Sequence, residues 1–463
     1  MKKKSNKTKK LKLYLIPLTI IVLIIITIYF CNNQNEVNII IANEKYTFLK
    51  NDSEHEINLI TLNKEFDTIV EKESIFSNVK VNGKKIFISK NIGIQDINSI
   101  NKIEIEIKFK GNKKYTKYLI NTLPTTMPKY STKGTSKTKG DFYFTTYGSS
   151  FGKENAGAEN YIIKMNNQGK IIFYRKAGYK SYVFKKEHIN NETYYTYLDQ
   201  DTSNERIYLY ILNSRYKLIK KIENIANTDK KSIDFHDYLL IDLNNYIFSD
   251  INKDASEVIT EIKDNKIIWE YKIQSKEIED IDKAGNKLLI RMDNHFNSFE
   301  LDSDNNLLVS FRNSNEIIKI NRKTGKRIWT LGGKINDFDK NIFARQHSIV
   351  REKNTYMVFN NNNKSLSNIS ANKGIKSSVV IFKLNQKNKE IKNIKKYDLD
   401  CYSHELGSIW PSDIDNNIYV VDYGRSENKG KKVFEEINLE TKEVYFTFEY
   451  PDKTSAAYRT YKY

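Results

Sequence analysis

The sequence predicts an all-β protein: a six-bladed β-propeller preceded by a small N-terminal β-sandwich domain and an N-terminal transmembrane helix. Three observations carry that expectation. Short runs alternate apolar and polar residues with period two, a four-strand unit recurs from Asp141 onward, and one apolar run follows a lysine cluster. Composition agrees. The 31 Tyr and 23 Phe argue against disorder, and only 5 Pro and 18 Gly argue against a linker-dominated chain.

The apolar run is Leu13 to Phe30, behind Lys2, Lys3, Lys4, Lys7, Lys9, Lys10 and Lys12. Its length matches a bilayer core of about 30 Å. The lysines place the N-terminus in the cytoplasm, so residues 1–35 read as basic tail and membrane anchor, with the rest outside the cytoplasm. This predicts a single-pass protein of the cell membrane. Cleavage as a signal peptide lacks small residues, since Ile28-Tyr29-Phe30 precedes the candidate site. Lipidation at Cys31 is the alternative, with Phe30 a poor neighbour for that processing.

Residues 36–125 read as the β-sandwich, with strands such as Val37 to Ile41 and Ile103 to Phe109 and turns at Asn82-Gly83 and Gly111-Asn112. A connector, punctuated by Pro124 and Pro128, covers 126–140, and the propeller takes 141–463. The clearest repeat starts at His295. Strands His295–Leu301, Leu307–Phe311, Ile317–Ile320 and Arg327–Leu331 are separated by tight Asn/Asp/Gly turns. Other copies align on the second strand, Tyr356-Met357-Val358 on Leu307-Leu308-Val309. The ending Lys266-Ile267-Ile268-Trp269 matches the one at Trp329. Blades begin near Gly140, Ser181, His236, His295, His347 and Glu405, a count open by one because such rings often borrow a strand from the other chain end.

Of the 6 histidines, His236, His295 and His347 share one register, about ten to twelve residues before the second strand of their blades. Equal register means equal radius and height, so the three imidazoles are expected to meet on the axis. His55, His188 and His404 fall off that register and read as structural or surface residues, His188 in a turn. Asn297 shares a strand face with His295, and Arg312 ends the second strand of that blade. Three imidazoles alone fit zinc. A permanent cation beside them disfavours a metal and favours an oxyanion such as sulfate or phosphate. No metal and no cofactor are therefore expected. The net charge of +19 is spread through Lys/Asn turns outside the tail, without a reader motif, which argues against nucleic acid as partner.

The ordered set His236-Asp237, His295-Phe296-Asn297, Arg312, the run Ile318 to Gly333 and Gln346-His347 resembles the bacterial arylsulfate sulfotransferases, which use no nucleotide sulfate donor. The resemblance covers most of the chain, including the first domain closing on Thr122-Leu123-Pro124. It implies that His347 takes a sulfuryl group from an aryl sulfate as a covalent sulfohistidine and passes it to a phenolic acceptor. His236, His295, Arg312 and the substrate-binding Asn297 would then hold the sulfuryl oxygens. Either His236 or His295 would serve as acid and base. The resemblance also implies a homodimer, for which nothing in this chain argues by itself. The disulfide near the site of periplasmic relatives has no counterpart, since the chain has only Cys31 and Cys401. Two other readings stand beside this one: a silent extracytoplasmic propeller scaffold, and an aryl sulfate hydrolase on the same site.

Overall fold

The computed structural model describes residues 36–463 except 42–43, 51–55, 60–66, 73–77, 82, 87–88, 94–101, 110, 125, 148–156, 179–180, 202–205, 224–229, 235, 253, 427–429 and 452–455. The expected anchor Leu13 to Phe30, Cys31 and His55 lie outside the described residues. No helix among the described residues is long and apolar enough to cross a membrane. The chain separates into two units, 1–125 and 126–463.

The first unit is built from two sheets. One has the order Glu44–Leu49, Glu36–Ile41, Asp67–Lys72, Ser89–Gly93. The other runs Glu56–Leu59, Thr116–Thr122, Lys102–Lys108, Asn78–Val81, Lys84–Ile86, its first pair parallel. Alternation sorts their faces. Ile105 and Ile107 are buried while Glu104 and Glu106 reach the rim. The inward residues of both sheets, Val37, Ile39, Phe48, Val79, Ile105, Ile107 and Tyr118, form one core.

Among the described residues the second unit is all-β apart from the short 3-10 turn Ile369–Asn372. It contains six antiparallel sheets of four or five strands among the described residues. From the centre outward the fourth is Phe296–Leu301, Leu307–Phe311, Glu316–Asn321, Lys326–Gly332. The fifth is His347–Glu352, Thr355–Asn360, Ser378–Asn385, Glu390–Asp398. First strands of the six along the chain begin at Phe142, Phe184, Lys230, Phe296, His347 and Ser408.

Each sheet packs face to face on the next, which explains why Leu307-Leu308-Val309-Ser310-Phe311 reads as a continuous buried run rather than an alternating one. Leu307, Val309 and Phe311 pack against Ile247, Ile259 and Trp269 of the third sheet. Leu308 points the other way, onto Tyr356, Val358 and Val380 of the fifth. Both repeat tryptophans are buried, and the turn glycine Gly325 (φ +67°) lies so close to Trp269 that a Cβ there would sit 2.9 Å from the tryptophan Cβ. Gly325 therefore serves both the turn and the sheet-to-sheet contact.

The sheets close a propeller-like ring. Ser408–Asp413 of the sixth touches Ala456–Lys462, which is the innermost strand of the first sheet and pairs with Phe142–Tyr147. The ring is thus fastened by strands from opposite ends of the unit. The expected connector takes part too: Ser131–Gly134 pairs with Val444–Glu449 as a fifth strand of the last sheet. Two further two-stranded sheets stand outside the repeat: the hairpin Lys276–Ile281 with Lys287–Met292, and Ser403–Glu405 with Arg425–Ser426, which is not adjacent in the chain. His188, expected in a turn, lies exposed in strand Phe184–Ile189.

Candidate active site

His236 sits where the innermost edge of the third sheet is interrupted, between Lys230–Ile233 and Leu239–Asp242. Asp234 holds it twice, accepting the His236 backbone N–H at 2.9 Å and facing ring Nδ1 in a close contact. His295 immediately precedes the inner strand of the fourth sheet and adopts φ +60°. That left-handed turn aims its ring at His236, with ring centroids 4.9 Å apart and an edge-to-face inclination of 65°. Asp293 Oδ2 lies 3.4 Å from His295 Nδ1. Burial depresses the His295 pKa, aided by the charges of His236 and Arg312 and opposed by Asp293.

His347 opens the inner strand of the fifth sheet and is 2% exposed. Ser348 at φ +57° and an irregular register between His347 and Val350 turn the ring away from the regular ladder. Its Nδ1 lies 2.7 Å from Asn361 Oδ1. Burial pushes the His347 pKa well below the usual imidazole range, and the Arg312, His295 and His236 charges push the same way against the Asn361 hydrogen bond. The ring is therefore neutral at physiological pH. Gln346, fully buried, fixes the approach by donating from Nε2 to Ser310 Oγ and to the carbonyls of Phe311 and Glu316, at 3.0–3.1 Å.

Arg312 follows the second strand of the fourth sheet and is tied to His295, its backbone N–H donating to the His295 carbonyl at 2.8 Å. The guanidinium donates from Nη2 to the His404 carbonyl at 3.0 Å, while its buried Nε has no hydrogen-bond partner. No carboxylate pairs with it among the described residues. A half-enclosed guanidinium without a carboxylate in ion-pair contact has the charge and fork geometry to receive an oxyanion. Its charge lowers the pKa of both His295 and His347.

Residues 131–462 match the family model described as Arylsulfotransferase (ASST). The chain belongs to the arylsulfotransferase family. The matched span begins with the strand Ser131–Gly134 and ends within Ala456–Lys462, the two segments that complete the last and first sheets. Among solved structures, the arylsulfotransferase chain is similar to a protein of unknown function from Bacteroides caccae. Identity is 12% and the TM-score 0.40, over 69% of this chain and 100% of that one. Virginiamycin B lyase from Staphylococcus aureus matches at 13% identity and a TM-score of 0.33, over 89% of this chain and 99% of that one. The Dos1 propeller matches at 10% and 0.34, over 78% and 84%. No curated protein matches the sequence.

Asn297 is fully buried and its amide is already engaged: Nδ2 donates to the Gln346 carbonyl at 2.9 Å and Oδ1 accepts from Ser298 Oγ at 3.0 Å. It ties the fourth sheet to the turn before His347. Asp237, next to His236, lies under the site rather than in it. Its carboxylate meets Lys185 at 2.6 Å and Arg459 at 2.9 Å, and accepts the Phe299 N–H at 3.0 Å. Burial raises its pKa, but the Lys185 and Arg459 charges outweigh burial and the net shift is downward.

Several contributors lie outside the sequence-predicted set. Asp234, Asp293 and Asn361 each hold one histidine, and Tyr182 and Tyr458, stacked at 4.4 Å, flank His236 with ring centroids at 5.3 and 5.7 Å. Asn361 carried a signal. On the alignment of Tyr356-Met357-Val358 with Leu307-Leu308-Val309, it stands at the repeat position of Arg312. His404, expected as a structural or surface residue, lends its backbone carbonyl to Arg312. Cys401 is a buried thiol outside any disulfide among the described residues. Among the described residues no group of three or more His, Cys, Asp and Glu side chains is arranged to hold a metal ion.

Proposed function

We propose that this arylsulfotransferase moves a sulfuryl group from an aryl sulfate to a phenol by two displacements at His347. Family membership supports the activity class. The observation that carries the mechanism is a buried imidazole held neutral beside a guanidinium with no carboxylate partner. In the first displacement, the His347 lone pair attacks sulfur, the S–N bond forms and the sulfur–aryl oxygen bond breaks. Arg312 and the imidazoles offset charge on the sulfuryl oxygens. His236 is taken as the acid because Asp234 faces its Nδ1, whereas burial and neighbouring cations drive His295 toward the neutral form. His236 protonates the departing phenolate, then takes the proton of the acceptor phenol. The acceptor oxygen attacks sulfur, the S–N bond breaks and His347 returns neutral.

The six sheets are read as six blades, with the site on their axis. Leu13 to Phe30 is read as an anchor in the cell membrane, with the catalytic unit outside the cytoplasm. The test is incubation with p-nitrophenyl sulfate, followed by peptide mapping under alkaline conditions. The expected result is one sulfuryl group on His347, parallel-line kinetics against phenol concentration, and an inactive His347→Asn variant. A fully active His347→Asn variant would sink the mechanism. Product formation without added phenol would redirect it to hydrolysis.

A further inference from the structure

An imidazole has two nitrogens, and only the one bearing a lone pair in the neutral ring can accept a sulfuryl group. Which nitrogen that is follows here from Asn361. Its side-chain amide is 0% exposed, and Nδ2 donates to the carbonyls of Ser403 and Leu406, each at 3.0 Å. Both amide hydrogens are therefore used, and the amide cannot be flipped without setting its oxygen against two carbonyl oxygens. Oδ1 is left facing His347 Nδ1 at 2.7 Å. A carbonyl oxygen only accepts, so Nδ1 carries the proton and Nε2 the lone pair.

We propose that Asn361 is a positioning residue that locks His347 as its Nδ1–H tautomer and so makes Nε2 the atom that receives the sulfuryl group. The inference rests on the sulfuryl-transfer reading above. When the S–N bond forms, the ring becomes cationic while its Nδ1–H stays on Oδ1. When the acceptor phenol takes the sulfuryl group, the electron pair of the S–N bond returns to Nε2. No proton has to enter or leave His347 in either displacement.

The segment that orients Asn361 also positions the cation. His404, between Ser403 and Leu406, gives its carbonyl to Arg312 Nη2 at 3.0 Å and to Asn363 Nδ2 at 2.8 Å. Ser403 is pinned in turn, its N–H donating to Ser377 Oγ at 2.9 Å. A single short stretch of backbone, 403–406, thus sets both the tautomer of the nucleophile and the place of the guanidinium.

The experiment compares full-length wild type, Asn361→Asp and Asn361→Ala, each checked for folding by thermal melting. Phenol release from p-nitrophenyl sulfate is followed as a pre-steady-state burst and as kcat/KM from about pH 5 to about pH 9. In Asn361→Asp a carboxylate beside Nδ1 favours the imidazolium, and the acid limb of kcat/KM is expected to move up by about one pH unit or more. In Asn361→Ala the burst rate is expected to fall by about tenfold or more, with KM nearly unchanged and the acid limb moved down rather than up, because the lost hydrogen bond had raised the His347 pKa. Folded variants with the wild-type limb and burst would overturn the proposal. Should neither variant fold, the wild-type adduct decides: after alkaline proteolysis, sulfuryl on Nε2 supports the lock and sulfuryl on Nδ1 refutes it. If wild type carries no adduct on His347 at all, the transfer reading fails first.

Discussion

Replacing Glu257 with Gln is expected to stabilise this protein at neutral pH, although the position lies against the active site. Glu257 opens strand Glu257–Lys263 of the third sheet and is 0% exposed. Its Oε1 accepts the N–H of Phe296, next to His295, at 2.7 Å, while Oε2 has no hydrogen-bond partner. Burial, reinforced by the like charges of Asp234 and Asp293, pushes the carboxyl up from its ordinary 4.5 to about 8. The folded chain therefore keeps a proton that the unfolded chain releases. Because the folded value is raised, the stability contribution is fully present below 4.5 and is lost as pH rises toward 8. At about 1.4 kcal/mol per pH unit, the native state bears about 3 kcal/mol at pH 7. Glutamine keeps the acceptor for Phe296, and its amide N–H replaces an acid O–H of similar need, leaving the ionisation as the main difference. Urea denaturation of both proteins across about pH 4.5 to about pH 8 measures it. The curves are expected to coincide at the acid end and to separate by about 3 kcal/mol near pH 7. Parallel curves across that window would refute the reasoning.

Substitutions at two further positions separate chemistry from support. Arg312→Ala removes the guanidinium, and kcat for p-nitrophenyl sulfate is expected to fall by about 10²–10³-fold. Arg312→Lys restores little, because a point charge cannot hold the His404 carbonyl and two sulfuryl oxygens together; equal activity of Lys and Arg enzymes would contradict the fork-like role. Asp237→Asn strands the charges of Lys185 and Arg459 in the interior and is expected to cost about 3–5 kcal/mol of stability. Thermal melting reads this directly, and an unchanged melting temperature would remove Asp237 from the scaffold.

The repeat was legible because it is enforced at every sheet by the same physics. Strands between two neighbours must be apolar on both faces, so Leu307–Phe311 and Thr355–Asn360 read as short continuous runs. Register then brought His236 and His295 to mind as neighbours, and their rings stand 4.9 Å apart. Features that break the repeat were not legible. Hairpin Lys276–Met292 has no counterpart in other blades, and strand Ser131–Gly134 has the polar composition of a connector because it lies at an outer edge exposed to water. Asn297 shows a different limit. Its placement next to His295 follows from alternation, but sequence cannot tell that the Gln346 carbonyl occupies its amide. The carboxylates Asp234 and Asp293 escaped notice because each stands two residues before its histidine, where an acidic residue also suits an ordinary turn.

The strand that closes the ring also helps build the site, and this ties activity to complete folding. Ala456–Lys462 is the innermost strand of the first sheet, although the rest of that sheet ends at Lys176, 280 positions before Ala456. Arg459 reaches across to Asp237 at 2.9 Å and to the Asn297 carbonyl at 2.7 Å, beneath the histidines. Tyr458, on the opposite face of the strand, packs beside His236. Lys462 buries its ammonium on Glu436 at 2.6 Å and on the Thr138 carbonyl at 3.0 Å, joining the last sheet to the segment that supplies its fifth strand. Loop closure over such a separation is a late and slow event in a chain of non-local contacts. Until it happens, Asp237 lacks one of its two cations and Tyr458 is absent from His236. A partly closed ring thus lacks groups that flank His236 and neutralise Asp237: the same few side chains fasten the ring and support the histidine cluster.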